Sequence, residues 1–486
     1  MQIAPLDFAV LVFYFLVILA IALSSGRGRH TSRDFLVAER SIPWWAAGLS
    51  LIGTEISALT FVGVPAYAFA RTGNYTYLLG AFGMVLARLL VSRWFIPAWY
   101  RHDVVSSYEL LERRFGPWTR GLGVAVFMVT RVAMSGVRLY AGSIVVGMAL
   151  GVPWQAAILL TAALGVVYTI LGGIRSVIWT EVLQVCAMFG GALLAGWILW
   201  TSLPGGWSDV AAATAGMDKF RLLDFRFDPF DRTQEFTVWA ALVGMTVFNL
   251  SVFGTDYDMV QRMLTAPDSR RSSRAVVASA LADVPISALF LTLGVLLFTY
   301  YQVFPDPTLP TRDGVVVAKE VFPHFILTRI PHGLVGLVVA GLLSVALSSF
   351  QSALNALSAS FTVDVYRKLA PGREDHHYVG ITRAATVGFA LLLVGVAFWS
   401  QSAERLLILG LEIPSYTYCA LLGVFLVGLL TGRGNDRSAS VAILATLVFV
   451  FFFCHRVLGV AWTWNALLGT AFSAALASLG RREIDP

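Results

Sequence analysis

Apolar runs of about twenty residues recur from one end of this chain to the other, and they decide what it can fold into. They cover roughly 7–25, 42–70, 75–99, 119–150, 153–172, 176–201, 235–262, 274–302, 331–364, 380–401, 404–431, 437–455 and 459–479. A helix needs about 20 residues to cross a hydrocarbon core of about 30 Å. Thirteen such runs in 486 residues, 57% of them hydrophobic and 13% charged, predict an all-α polytopic membrane protein with about thirteen transmembrane helices. The whole chain, 1–486, reads as one domain embedded in a lipid bilayer. The longest polar connections, about 202–234 and 303–330, have room for a short helix or two. The first run follows MQIAPLD, with no basic segment before it and no small-residue cleavage site after it, so it reads as a retained helix.

Charge sets the expected orientation. One set of alternate loops carries Arg27, Arg29, Arg33 and Arg40, then Arg101, Arg113 and Arg114, then Arg270, Arg271 and Arg274, then Arg367, Lys368 and Arg373, and finally Arg433, Arg437, Arg481 and Arg482. Positively charged loops stay on the cytoplasmic side, which puts the C-terminus in the cytoplasm and the N-terminus outside. The expected location is a cell membrane, that of the bacterial inner membrane. The net charge of +6 therefore reports topology, and no basic stripe with interleaved aromatics marks a nucleic-acid partner. Cys186, Cys419 and Cys454 fall in apolar runs without C-x-x-C spacing, and no span holds an H-x-x-x-H pair, so neither a disulfide framework nor an intramembrane metalloenzyme is indicated.

Charges at membrane depth are costly and usually functional. Here they include Glu55, Arg88, Arg131, Arg138, Glu181, Asp283 and Glu412. Arg131 and Arg138 are seven apart and share a helix face. Each either neutralises a carboxylate on a neighbouring helix or faces a wet cavity.

Two spans also carry helix-interrupting residues. Gly53-Thr54 and Gly63 with Pro65 punctuate the run 42–70, and NLSVFGTD places Asn249, Ser251, Gly254 and Asp256 in the run 235–262. Broken helices at matching positions in two halves point to an inverted-repeat transporter whose site lies at mid-membrane. Freed carbonyls are tolerable there when an ion or water satisfies them. The stretch 341–366, GLLSVALSSFQSALNALSASFTVDVY, is rich in small residues, and taken alone it reads as a close-packing helix. It also sets the hydroxyls of Ser348 and Ser349 near the carbonyl of Val345, and neutral oxygens suit a hard monovalent cation such as Na+.

With these features in place, the chain resembles the sodium:solute symporter family of sugar, proline, monocarboxylate and sialic acid transporters. The resemblance rests on DFLVAERSIPWWAAGLSLIGTEISALTFVG (34–63), FIPAWYRHDVVSSYELLERRFGP (95–117), GGIRSVIWTEVLQ (172–184), GTDYDMVQRMLTA (254–266), SSFQSALNALSASFTVDVY (348–366) and PSYTYCALLGVFLVGLLTGRGN (414–435). It implies a five-plus-five inverted repeat: an extra N-terminal helix at 7–25, repeats at 42–201 and 235–431, and two further helices within 437–479. It implies a Na+ site made of the carbonyls of Gly53, Ile56 and Val345 and the hydroxyls of Ser348 and Ser349. A second ion site of some members falls on Glu181 and Ser352, where glutamate replaces the family's aspartate; Glu181 could carry a proton instead. For the solute, Thr60 and Ala81 stand where sugar transporters present a polar pair. Members that take carboxylates use an arginine on the helix that holds Arg131 and Arg138. The expected solute is accordingly an organic anion of sialic acid or monocarboxylate type, with Glu55, Ser57, Thr60, Phe61, Asn249 and Phe253 lining the same cavity.

Two alternatives stay within transport: a neutral sugar or amino acid as solute, or proton coupling through Glu55 or Glu181. A membrane sensor is the alternative from another class; the terminal GRREIDP carries no kinase-like segment, which favours transport. No nucleophile–base or metal constellation supports an enzyme. The pattern leaves the oligomeric state open and is compatible with a monomer. Glu55 could lend its field to the ion, pair with a cation such as Arg138, or titrate.

Overall fold

The computed structural model describes residues 5–26, 36–231, 235–402 and 406–481. Apart from one two-residue hairpin, Thr311–Arg312 with Val315–Val316, its regular structure is helical. Among the described residues, nine helices are long and apolar enough to span a bilayer, and the bent pair Trp44–Glu55 and Thr60–Phe69 makes a tenth. The expected runs 153–172, 235–262 and 459–479 hold the shorter helices Trp154–Ile170, Ala240–Thr255 and Trp462–Ser478. Gly173 explains one of these: at φ 60° and ψ −173° it breaks the long helix Trp154–Ser202, a conformation that a side chain would oppose.

The helices sort by what covers them. Phe13, Leu193, Trp197 and Leu391 stand well exposed on the outside of the bundle, where lipid tails meet apolar side chains at no desolvation cost. Leu334–Ser360 lies at the centre and packs chiefly against Trp154–Ser202 and Pro117–Leu150. Its small residues permit this: a Cβ on Gly341 would stand 2.7 Å from the carbonyl oxygen of Ala187. The N-terminus of the same helix is held by Asp7, a fully buried carboxylate that accepts the backbone N–H groups of Gly333 at 2.8 Å and Gly336 at 2.7 Å. An anion here satisfies orphan donors and complements the helix dipole. It also pins Pro5–Gly26 to the core.

Two helices are interrupted near their middles. Trp44–Glu55 ends where Ile56 turns extended, with ψ 103°, and Ala58–Phe69 resumes the course after a bend of 57°. Thr246–Thr255 ends where Asp256 turns extended, with ψ 123°, and Tyr257–Leu264 follows. The Asp256 carboxylate caps that second half by accepting the N–H groups of Asp258 and Met259. Beyond the first break, the ammonium of Lys219, fully buried although it comes from the 202–231 connection, donates to the carbonyls of Ala68 at 2.7 Å, Phe69 at 3.2 Å and Ala70. The first two are the last carbonyls of Ala58–Phe69 and the third follows directly after it, at the end where a cation is favoured.

Candidate functional site

The first break frees backbone carbonyls in the middle of the bundle, and the structure shows what meets them. The carbonyl of Gly53 accepts the hydroxyl of Ser348 at 3.3 Å. The carbonyl of Thr54 accepts Nη1 of Arg138 at 3.1 Å. Thr54 turns its own hydroxyl back onto the Ser50 carbonyl at 2.9 Å. Ser349, beside Ser348 and 3% exposed, has a buried hydroxyl with no hydrogen-bond partner among the described residues. A buried, unsatisfied oxygen is unusual and calls for an unseen partner. The carbonyl of Ile56 lies at the break itself, and Val345 is one turn before Ser348 and Ser349 on Leu334–Ser360. The five positions expected to hold Na+ thus fall on the broken helix and the central helix, with Gly53 and Ser348 in direct contact.

Adjoining the break is a cavity of about 100 Å³, lined among others by Glu55, Ile56, Ser57, Thr60, Tyr77, Ala81, Arg131, Arg138, Asn249, Phe253, Asp283 and Ser287. Seven of the eight expected solute-site residues are there. Phe61 is the exception: it is fully buried away from the cavity, stacked on Phe322 at 5.2 Å and edge-on to Phe290 at 5.1 Å. The bend turns Phe61 into the packing between Ala58–Phe69 and its neighbours, so its part is structural. Asn249 spends its amide on the Met245 carbonyl at 2.8 Å.

The charges divide in a way the sequence did not show. Glu55 pairs with Arg88, not with Arg138. Arg88 is fully buried, donates to Ser279 at 2.8 Å and lies 4.0 Å from the centre of the Phe253 ring. Arg131 is also fully buried and is held between Asp256, at 3.2 Å, and Asp258. Tyr418 donates to the same Asp256 at 2.5 Å. Arg131 therefore neutralises the second break. Arg138 differs: among the described residues its guanidinium has the Thr54 carbonyl as hydrogen-bond partner and no carboxylate within ion-pair distance. Glu181 and Ser352 are brought together around Arg262, with Arg262 Nη2 at 2.7 Å from Glu181 Oε1 and 2.8 Å from Ser352 Oγ. Tyr77, Asp283 and Ser287 are cavity residues that sequence reasoning missed; the one signal was Asp283, an acid at membrane depth.

Two helices broken beside a cavity inside a bundle of apolar helices are the architecture of a secondary transporter. The chain belongs to the sodium:solute symporter family, whose model matches residues 35–446, and it is a transporter, not an enzyme. It is 28% identical over 481 residues to a sodium/sialic acid symporter of Proteus mirabilis, covering 93% of this chain and 92% of that protein. It is 31% identical over 451 residues to the sodium-dependent multivitamin transporter of Oryctolagus cuniculus, covering 90% and 69%. Among solved structures it is similar to the substrate-bound outward-open state of a Na+-coupled sialic acid symporter described with a novel Na+ site. That match has a TM-score of 0.87 and 26% identity, and covers 98% of this chain and 97% of the other.

Proposed function

We propose that this protein imports a small organic anion, of sialic acid or monocarboxylate type, together with Na+. The observation that carries the reading is Arg138. Of the two arginines that line the cavity, Arg131 is ion-paired, whereas Arg138 has no carboxylate within ion-pair distance among the described residues. A guanidinium stays charged when buried and binds a carboxylate through two parallel hydrogen bonds. Ser57, Thr60, Asn249 and the rim of Asp283 and Ser287 supply polar partners for the remainder of the solute.

The ion is assigned to the carbonyls of Gly53, Ile56 and Val345 with the hydroxyls of Ser348 and Ser349. Support comes from the Gly53–Ser348 contact and from the unpartnered Ser349 hydroxyl. Coupling follows from adjacency. The carbonyl of Gly53 faces the ion position and that of Thr54 faces Arg138, so both ligands act on the last helical turn before the break. An ion that fixes this turn pre-organises the solute site, and each ligand raises the affinity of the other. Proton coupling through Glu55 or Glu181 has less support, since both carboxylates are committed to arginines. The two interruptions, at Ile56 and Asp256, support repeats at 42–201 and 235–431 flanked by 7–25 and 437–479. The reading includes thirteen spans in a bacterial inner membrane, with the N-terminus outside and the C-terminus cytoplasmic.

A thermal-shift panel on purified protein tests the solute class. N-acetylneuraminate, small monocarboxylates, hexoses and amino acids are added in Na+ and in K+ buffer. An anionic solute is expected to raise Tm in Na+ and not in K+. Stabilisation by a neutral hexose alone, or by an anion equally in both buffers, would contradict the assignment.

A further inference from the structure

The connection that supplies Lys219 runs on as KFRLLDFRFDPF, residues 219–230, and it turns large apolar side chains outward. Phe225, Phe227 and Phe230 are 64%, 63% and 58% exposed, and Leu223 is more than half exposed as well. A contiguous apolar surface of this kind marks an interaction site. The tethers of the segment fix where that surface lies. Lys219 holds the carbonyls at the end of Ala58–Phe69. The Arg221 carbonyl accepts the N–H of Tyr75 at 3.1 Å, just before the helix Leu78–Leu90. The Asp224 carbonyl accepts that of Val238 at 2.8 Å, just before Ala240–Thr255. The Pro229 carbonyl accepts that of Ala461 at 2.8 Å, the cap of Trp462–Ser478. The segment therefore follows the rim of the bundle, at the level where four apolar helices end.

Three features say what meets the exposed rings. First, they continue the lipid-facing surface of the bundle. The Phe225 carbonyl accepts Nε1 of Trp239 at 3.1 Å, and Phe227 lies edge-on to Trp464 at 5.5 Å. Trp239 is itself exposed, as are Leu242 and Val243 next on the same helix. Tryptophan and other amphipathic aromatics concentrate where headgroups meet hydrocarbon. Second, the rings alternate with charges that are neutralised locally. Arg226 donates from Nε to Asp224 Oδ1 at 3.0 Å and from Nη2 to Oδ2 at 2.6 Å. Third, the backbone of 221–228 is neither helix nor strand. Its polar groups need water or headgroups, which keeps the segment out of the hydrocarbon itself. A lipid headgroup boundary meets all three conditions.

We infer that residues 220–230 are an interfacial anchor, with Leu223, Phe225, Phe227 and Phe230 seated in the lipid headgroup boundary at this end of the bundle. Lys219, at the head of the anchor, ties the far half of the first broken helix to the bilayer. The inference rests on the membrane-spanning fold and is independent of the ion and the solute.

The test is spin-label accessibility in the full chain, reconstituted in vesicles of phosphatidylcholine and phosphatidylglycerol. In a Cys186→Ser background, which leaves the buried Cys419 and Cys454, nitroxides are attached singly at Phe225→Cys, Phe227→Cys and Phe230→Cys. Asp218→Cys is the aqueous control, because this exposed side chain lines a cavity of about 900 Å³ at the same end of the bundle. Labels at 225, 227 and 230 are expected to collide more with oxygen, which concentrates in lipid, than with a water-soluble nickel chelate. The order is expected to reverse at 218. Any of the three labels as open to the nickel chelate as the label at 218 would overturn the inference. Labels shielded from both reagents would overturn it too, by placing a partner protein or a second copy over the rings. All three positions are exposed in the fold, so the variants are expected to keep the Tm of the Cys186→Ser parent.

Discussion

Replacing Ser348 and Ser349 together by alanine is expected to lower the affinity for Na+ by about a hundredfold or more, with the fold retained. Each hydroxyl lost from a cation removes a charge-assisted contact of roughly 1.5–3 kcal/mol, and about 1.4 kcal/mol corresponds to tenfold. Folding has little at stake. Ser349 makes no hydrogen bond among the described residues. Ser358→Ala, on the same helix, is the control. Its hydroxyl donates to the Leu354 carbonyl at 2.7 Å, so its loss touches the helix backbone and leaves Na+ affinity unchanged. Titrating Na+ against intrinsic tryptophan fluorescence in the variants reads both effects. A double variant with the affinity of the wild type would remove the ion from this position.

The second large effect separates two arginines that the sequence presents as a pair. Arg138→Gln is expected to abolish high-affinity solute binding, a loss of about 2–5 kcal/mol for the removal of one partner of a buried charge pair, while Na+ still binds. Arg138→Lys should recover little, since a point charge does not reproduce the planar fork. Arg131→Gln is expected to fail differently. It leaves the fully buried Asp256 and Asp258 without one of their counter-charges, at a cost of about 3–5 kcal/mol. The readout is poor yield and a lowered Tm, not a selective loss of solute. Solute affinity and melting temperature measured on the two variants side by side distinguish these outcomes. Arg131→Gln with normal stability and absent solute binding would reverse the assignment.

What could be read from the sequence follows from what leaves a one-dimensional trace. The apolar runs register directly because a bilayer demands about 20 residues at a time. Both interruptions were visible as clusters of small and polar residues inside such runs, and the structure puts the breaks at Ile56 and Asp256. Ser348 and Ser349 were visible as small polar residues on a buried helix, and the Gly53–Ser348 contact brings that helix to the first break. Charge pairing was not legible. Glu55 finds Arg88, Arg131 finds Asp256 and Asp258, and Glu181 finds Arg262 across helices remote in the chain. Helix periodicity gives each charge a face but no partner. The pair at Arg131 and Arg138 shows this plainly: a shared face suggested a shared role, yet only one of them has carboxylates from the second break within reach. Phe61 failed for a related reason. It stands next to cavity residues in sequence, but after a bend of 57° the helical face it occupies belongs to the packing.

The central claim is that Na+ bound at the first helix break drives an organic anion inward, and the most direct test is flux against a gradient. Purified protein in proteoliposomes is given a radiolabelled anion that shows a Na+-dependent thermal shift, at equal concentration inside and out, with an inward Na+ gradient. The account predicts transient accumulation of the anion inside, its depletion when the gradient is reversed, and neither when K+ replaces Na+. Equal accumulation in K+, or accumulation that follows a pH gradient in the absence of Na+, would contradict it.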